Sequence, residues 1–193
     1  MGNLEQALEM IDAANARDPN LETAGGEKQP KELVYGRRMS ACLERLAPEA
    51  SDLVRIAARA QHIERWTVPR DGYPEGKKGY HHWRTDLGRF HADRTGEIMA
   101  ACGYAETEIG KVQAMLRKKN LRSDPDTQLL EDTICVVFLE NYLSGFSAKH
   151  DPEKIVDILR KTWGKMSPRG REAALALELS EDARRLVERA LAQ

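Results

Sequence analysis

Two histidines and an aspartate are the residues in this sequence best suited to metal and phosphate chemistry. His62 and His91 flank a loop rich in glycine, proline and lysine, and Asp132 follows beside Glu131 in an apolar stretch. Neutral imidazoles and a carboxylate held on helices are ligands for a divalent transition metal. Residues 59–91 contain four of the five histidines. From Arg55 to Arg94 there are nine Lys or Arg against five Asp or Glu, so this segment is basic inside a chain of net charge −1. That local charge suits a phosphate, and it also suits a solvated surface.

Each residue has a plainer reading. Arg55, Arg59, His62 and Trp66 fall on one helical stripe, at the border of the apolar face made by Leu53, Ile56, Ala60 and Ile63. His62 there is a metal ligand or an ordinary hydrogen-bonded histidine. His91 follows Leu87 by four residues and precedes Ile98 by seven, which turns it inward. It is a ligand or a buried histidine satisfied by a carbonyl. Acidic Glu131 and Asp132 sit in LLEDTICVVFL, where a carboxylate needs a metal, a hydrogen-bond donor or a cation such as Arg59 or Arg84. The loop from Val68 to Gly79 has three glycines among its last eight residues, with Arg70, Lys77 and Lys78, ahead of a helix N-terminus. Those are features of an anion-binding loop, without any fixed phosphate-loop signature. One of His81 and His82 could join the site. His150, near a helix end, reads as a C-terminal cation.

Helices must position these groups, since nearly every segment carries helical periodicity. Asp18-Pro19-Asn20 closes a first helix from Leu4 to Ala16, and residues 23–31, TAGGEKQPK, read as a flexible linker. Further helices are predicted over 32–46, from Pro48 to about Trp66, and over 80–102, 106–119, 125–146 and 152–166. Two short ones follow Ser167-Pro168 and Ser180-Glu181. No segment reads as a strand. The expected fold is all-α, about eight or nine helices in all, with an N-terminal helix and flexible linker over 1–31 and a helical domain over 32–193.

The composition narrows the partners. A net charge of −1 gives no global field toward nucleic acid or an anionic membrane, so nucleic acid is the disfavoured partner. The longest apolar run, Ile134 to Leu139, is too short to span a bilayer. The N-terminal stretch lacks the pattern of a signal peptide, and the expected compartment is the cytoplasm. Cys42, Cys102 and Cys135 are far apart, form no CxxC pair and read as small core residues.

Three strings, AQHIERWTVPRDGYPEGKKGYHHWRTDLGRFHA, LRSDPDTQLLEDTICVVFLENY and ILRKTWGKMSPRG, resemble a conserved family, the domain of unknown function numbered 4202, from about Asn3 to the C-terminus. That family is grouped with the HD-type metal-dependent phosphohydrolases, so the resemblance implies an HD-like helical fold. It implies His62 as the first metal-binding histidine, His91 as the second and Asp132 as the final aspartate. Ala92 stands where the paired aspartate of the doublet belongs, and Asp93 comes one position late, about 100° around the helix. The implied activity is hydrolysis of a phosphate ester such as a nucleotide. A divalent metal (Mn, Fe, Co, Zn or Mg) would activate a water, Glu131 or Glu64 would act as general base, and Arg59, Arg70, Lys77, Lys78 and Arg84 would hold the phosphate. The altered doublet gives the alternative, a non-catalytic module that recognises a nucleotide, another anion or a protein. A third reading assigns Trp66, Tyr73, Tyr80 and Trp83 to packing the loop on the core.

Overall fold

Short polar residues just outside the helices, and the glycines and prolines between them, decide where elements begin and end. The structure, a computed structural model, describes residues 2–192. It divides into two compact units, the first ending at Thr127 and the second beginning at Gln128.

In the first unit Asn3 accepts the amide of Gln6 and caps α1 (Leu4–Asn15), whose Ala7, Ile11 and Ala14 are buried. Residues 21–30 form an antiparallel hairpin, β1 (Leu21–Ala24) and β2 (Glu27–Pro30), with Ala24 paired to Glu27. Gly25 and Gly26 form its two-residue turn at φ 62° and 86°, backbone that glycine adopts without strain. The linker expected at 23–31 is therefore a strand pair, held to the next helix by the Arg38–Glu22 ion pair. The Gly-Gly signal was present, but Glu, Lys, Gln and Pro in the flanks hid the strands.

Helix α2 (Lys31–Leu46) packs on α3 (Asp52–Ala60), which Ser51 caps through the amide of Val54. The predicted helix to Trp66 stops at Ala60. Glu64 is left-handed at φ 47°, and 3-10 turns follow at Arg65–Thr67 and Arg70–Gly72. The long helix α4 (Gly76–Ala101) starts four residues before the expected Tyr80 and packs most extensively on α5 (Glu106–Leu116). Fully buried Ile11, Met39, Leu43, Ile56, Ile63, Leu87, Ile98 and Met99 form the core. At roughly 25 cal/mol per Å² of apolar surface, burying one such side chain contributes about 1.5–3 kcal/mol, so the core fixes the site's frame.

Asp124 accepts the amide of Thr127 and opens α6 (Pro125–Asn141), with Pro125 as its first residue. The expected single helix to Phe146 breaks at Tyr142, and α7 (Leu143–Ser147) follows. Then come α8 (Pro152–Trp163), α9 (Pro168–Leu175) and α10 (Glu181–Leu191), capped by Asp151, Ser167 and Ser180. In this second unit α10 packs on α8 and α7 around Leu143, Ile155 and Leu159. The fold is all-α apart from the hairpin, and ten α-helices stand among the described residues where eight or nine were expected.

Candidate functional site

Asp18, at the entrance to the hairpin, sets the geometry from which the site is built. Its Oδ1 accepts from the backbone and side-chain nitrogens of Asn20, each at 2.9 Å, and its Oδ2 from the amide of Glu32 at 3.0 Å. That anchors the first turn of α2, which presents Glu32 and Tyr35 to His62. Glu32 Oε2 lies 3.1 Å from His62 Nδ1, and the Tyr35 ring stacks on the imidazole at 3.9 Å with 13° between planes. On the other edge Arg65 Nη1 lies 2.7 Å from His62 Nε2. A guanidinium only donates, so Nε2 is the acceptor and Nδ1 carries the proton given to Glu32. The Arg65 guanidinium also lies over the Trp83 ring, 5.1 Å from its centroid, and Trp83 Nε1 donates to Val68 O at 2.9 Å.

His91 is 4 % exposed on α4, and its Nδ1 donates to Ile63 O at 2.9 Å. The carbonyl fixes the tautomer and leaves the Nε2 lone pair without a protein partner among the described residues. The two imidazole centroids are 6.1 Å apart. Burial pushes the His62 imidazole well below the usual histidine range, and the Arg65 charge adds to this. Burial does the same to His91, helped by His62 and Arg65 and opposed by the Ile63 carbonyl. Both rings are neutral near pH 7. Burial raises the Glu32 carboxyl, against the pull of Arg65 and Lys31.

Both histidines line a cavity of about 440 Å³ in the first unit, a size typical of small-molecule sites. Its wall carries Arg84, Arg89, Arg117, Lys118 and Lys119, and no Asp or Glu among the described residues. Asp93 holds Arg117 and Asp86 reaches Arg89 from outside the wall. Gly88 lets the end of α5 come close: a Cβ there would stand 3.7 Å from Leu116 O and 3.9 Å from Arg117 Cα. Lys118 and Asn120 are left-handed at φ 54° and 58°, an uncommon conformation for side chains without glycine's freedom, and the turn they form directs residues 117–119 along the wall.

The other expected site residues are engaged elsewhere. Glu64 is clamped between Arg17 and Arg94, whose Nε donates at 2.7 Å, so its carboxylate holds the turn after α3. Arg59 donates to Ser40 Oγ and Asp12 Oδ1, both at 2.7 Å. Arg70 donates to the carbonyls of Tyr73 and Pro74 and holds its own loop. Lys77 and Lys78 are exposed in the first turn of α4 and do not line the cavity. Of the five expected phosphate holders only Arg84 does.

Asp132 and Glu131 belong to the second unit. Asp132, 2 % exposed, accepts the Ser167 amide at 2.8 Å, the Ser167 hydroxyl at 2.5 Å and Gln128 Nε2 at 3.1 Å. It anchors the N-terminus of α9 through these bonds. Glu131 is buried with Lys165 Nζ at 3.6 Å. The donor set expected for a divalent metal does not fit one. Arg65 and Glu32 engage both nitrogens of His62, and Ser167 and Gln128 satisfy Asp132. Among the described residues no group of three or more His, Cys, Asp and Glu is arranged to hold an ion.

Sequence reasoning missed Arg65, Glu32, Gln61, Arg89 and residues 117–119. His81, Arg84, Gly88 and His91 do recur at helical spacing along α4, which is a readable signal for one face. Nothing local announces that residues 117–119 lie against it. No helix among the described residues is long and apolar enough to cross a membrane. No curated protein and no solved structure matches the chain. A family model does match, over residues 5–187. The chain belongs to the family described as Domain of unknown function (DUF4202).

Proposed function

We propose that this protein binds a phosphorylated small molecule in the cavity between α4 and the end of α5. The observation that carries this reading is the sign of the wall: five cationic side chains around about 440 Å³, without a carboxylate among the described lining residues. Asp93 and Asp86 offset Arg117 and Arg89 from outside the wall, and the positive field that the lining cations leave there favours an anion of matching size. Phosphate suits them best, because arginine meets its oxygens in a two-pronged geometry and lysine as a point charge.

Binding is favoured over metal-dependent hydrolysis. The HD-like reading keeps the support of the order His62, His91, Asp132 in sequence and of two neutral imidazoles on the cavity wall. Arg65 on His62 Nε2 and Ser167 on Asp132 oppose it. Thermal denaturation with matched phosphorylated and unphosphorylated compounds, in low salt, tests the proposal. Phosphorylated members raise Tm, the effect fades with salt, and Arg84→Glu removes it. Equal shifts from both members of each pair would overturn it.

A further inference from the structure

The basic face of α4 does not end where the cavity ends. At about 100° per residue, Lys77, Tyr80, His81, Arg84 and Gly88 all fall within about 60° of Lys77, on one stripe of the helix. His81, Arg84 and Gly88 line the cavity. Lys77 stands one turn before His81 and is exposed, so the stripe carries positive charge about 10 Å along the axis beyond Arg84. The acidic residues of α4 are Asp86, Asp93 and Glu97. All three lie on the far side of the helix, about 160–200° from Lys77. They pair there with Arg89, Arg117 and Arg94.

The same stripe carries an aromatic ring in water. Tyr80 is 47 % exposed, and among the described residues it is the only Phe, Trp or Tyr so open. Its ring lies 5.8 Å from that of buried Trp83 and 5.9 Å from that of His81, which is on the cavity wall. A ring fixed on a rigid helix between cations is a platform on which a base can stack. A small phosphate compound confined to the cavity uses neither Tyr80 nor Lys77.

Resting on the phosphate reading above, we propose that the cavity and this stripe together bind the end of a single-stranded nucleic acid. The terminal phosphate enters the cavity, whose inner wall is closed by buried Leu87, His91 and Leu116. A base stacks on Tyr80, and a later phosphate of the strand meets Lys77. The chain's net charge of −1 draws nucleic acid to no other face in particular, and the attraction is local to this one. An inorganic polyphosphate would meet the same cations and leave the Tyr80 ring in water.

The test is titration of the full chain with strands of about six nucleotides, phosphorylated at the 5′ or the 3′ end or at neither. A nucleoside monophosphate and tripolyphosphate are the comparison probes, and Lys77→Ala, Tyr80→Ala and Arg84→Gln are the variants. A phosphorylated strand is expected to bind at least about tenfold tighter than the monophosphate, and Tyr80→Ala to weaken it about tenfold. Lys77→Ala should lower the salt slope of strand binding by roughly 0.7, one phosphate contact, and leave the monophosphate unchanged. Arg84→Gln should weaken both. Equal affinity for strand and monophosphate, both lost in Arg84→Gln, would overturn the strand inference and leave phosphate binding standing. Tripolyphosphate binding as tightly as the strand, with Tyr80→Ala without effect, would overturn it too. So would unphosphorylated strands that bind as well as phosphorylated ones. If no probe bound, both readings would fall.

Discussion

Arg65 Nη1 donates to His62 Nε2 across 2.7 Å, so the lone pair that could serve a metal serves a guanidinium. The contact is held from both sides. Trp83 lies under Arg65, while Tyr35 and Glu32 hold the imidazole. His62 therefore acts as a structural hinge pin between α2 and the turns after α3, and the cavity wall takes its position from it.

Removing the guanidinium should release the imidazole. Arg65→Met is expected to raise uptake of zinc or cobalt relative to the parent, with His62 Nε2 and His91 Nε2 as the nearest free nitrogens. Elemental analysis after equilibration with the metal and desalting measures it. One equivalent of metal in the parent, lost in His62→Ala, would contradict the assignment.

Stability should fall on mild acidification. The unfolded chain protonates His91 near pH 6.5, whereas in the folded protein burial holds its imidazole well below that value. Below about pH 6.5 the unfolded state thus binds more protons, and each pH unit removes about 1.4 kcal/mol per such group until the folded pKa is reached. Glu32 has the opposite sign: its carboxyl is raised on folding, so its contribution is present in acid and is lost as pH rises through the folded value. Urea denaturation of the parent and of His91→Gln between pH 7.5 and 5.5 separates the two, since the variant should show the shallower loss. Parallel curves would show that His91 titrates freely.

Asp132 is assigned a structural task. Asp132→Ala leaves the Ser167 amide and hydroxyl without their acceptor and should cost about 3 kcal/mol, as expected for losing charge-assisted bonds in a buried place. Ser167→Ala should cost about 1 kcal/mol through loss of the cap. Chemical denaturation measures both. An Asp132→Ala protein as stable as the parent would refute the assignment.

Two glycines should answer a methyl group in opposite ways. At Gly79 in α4 a Cβ would overlap the carbonyl of Pro74, so Gly79→Ala must move the loop or the helix start and should destabilise by about 1–3 kcal/mol. Gly110 lies inside α5 with nothing within 4 Å of its Cβ position, and Gly110→Ala should stabilise by about 0.5–1 kcal/mol. Opposite shifts in Tm check both at once.

Most helix starts were legible because the caps are local: Asp124-Pro125, Asp151-Pro152, Ser167-Pro168 and Ser180-Glu181 each act within four residues, whereas the helix expected from Pro48 begins at Asp52 behind the Ser51 cap. The hairpin was not, since its strands lack β-branched alternation and only its Gly-Gly turn marked it. The early end of α3 was hidden too. Left-handed Glu64 is stabilised by Asn15, Arg17 and Arg94, all distant in sequence or on another helix. At the site, the chain alone marked His62 and His91, as ligands together with Asp132, and Arg84, as one of five phosphate holders; the cavity brings His62, His91 and Arg84 to one wall. The chain alone could not show that Arg65 closes His62, that Ser167 engages Asp132, or that residues 117–119 complete the wall, because those pairings are made by packing.

The central claim is that the cavity beneath Arg84 and Lys119 holds phosphate. Calorimetric titration of inorganic pyrophosphate into the parent and into an Arg84→Glu/Lys119→Glu double variant tests it directly. The account predicts one site per chain in the parent, affinity that falls steeply as salt rises, and no measurable binding in the double variant whose fold is intact by circular dichroism. No heat from the parent at low salt, or equal binding by both proteins, would contradict it.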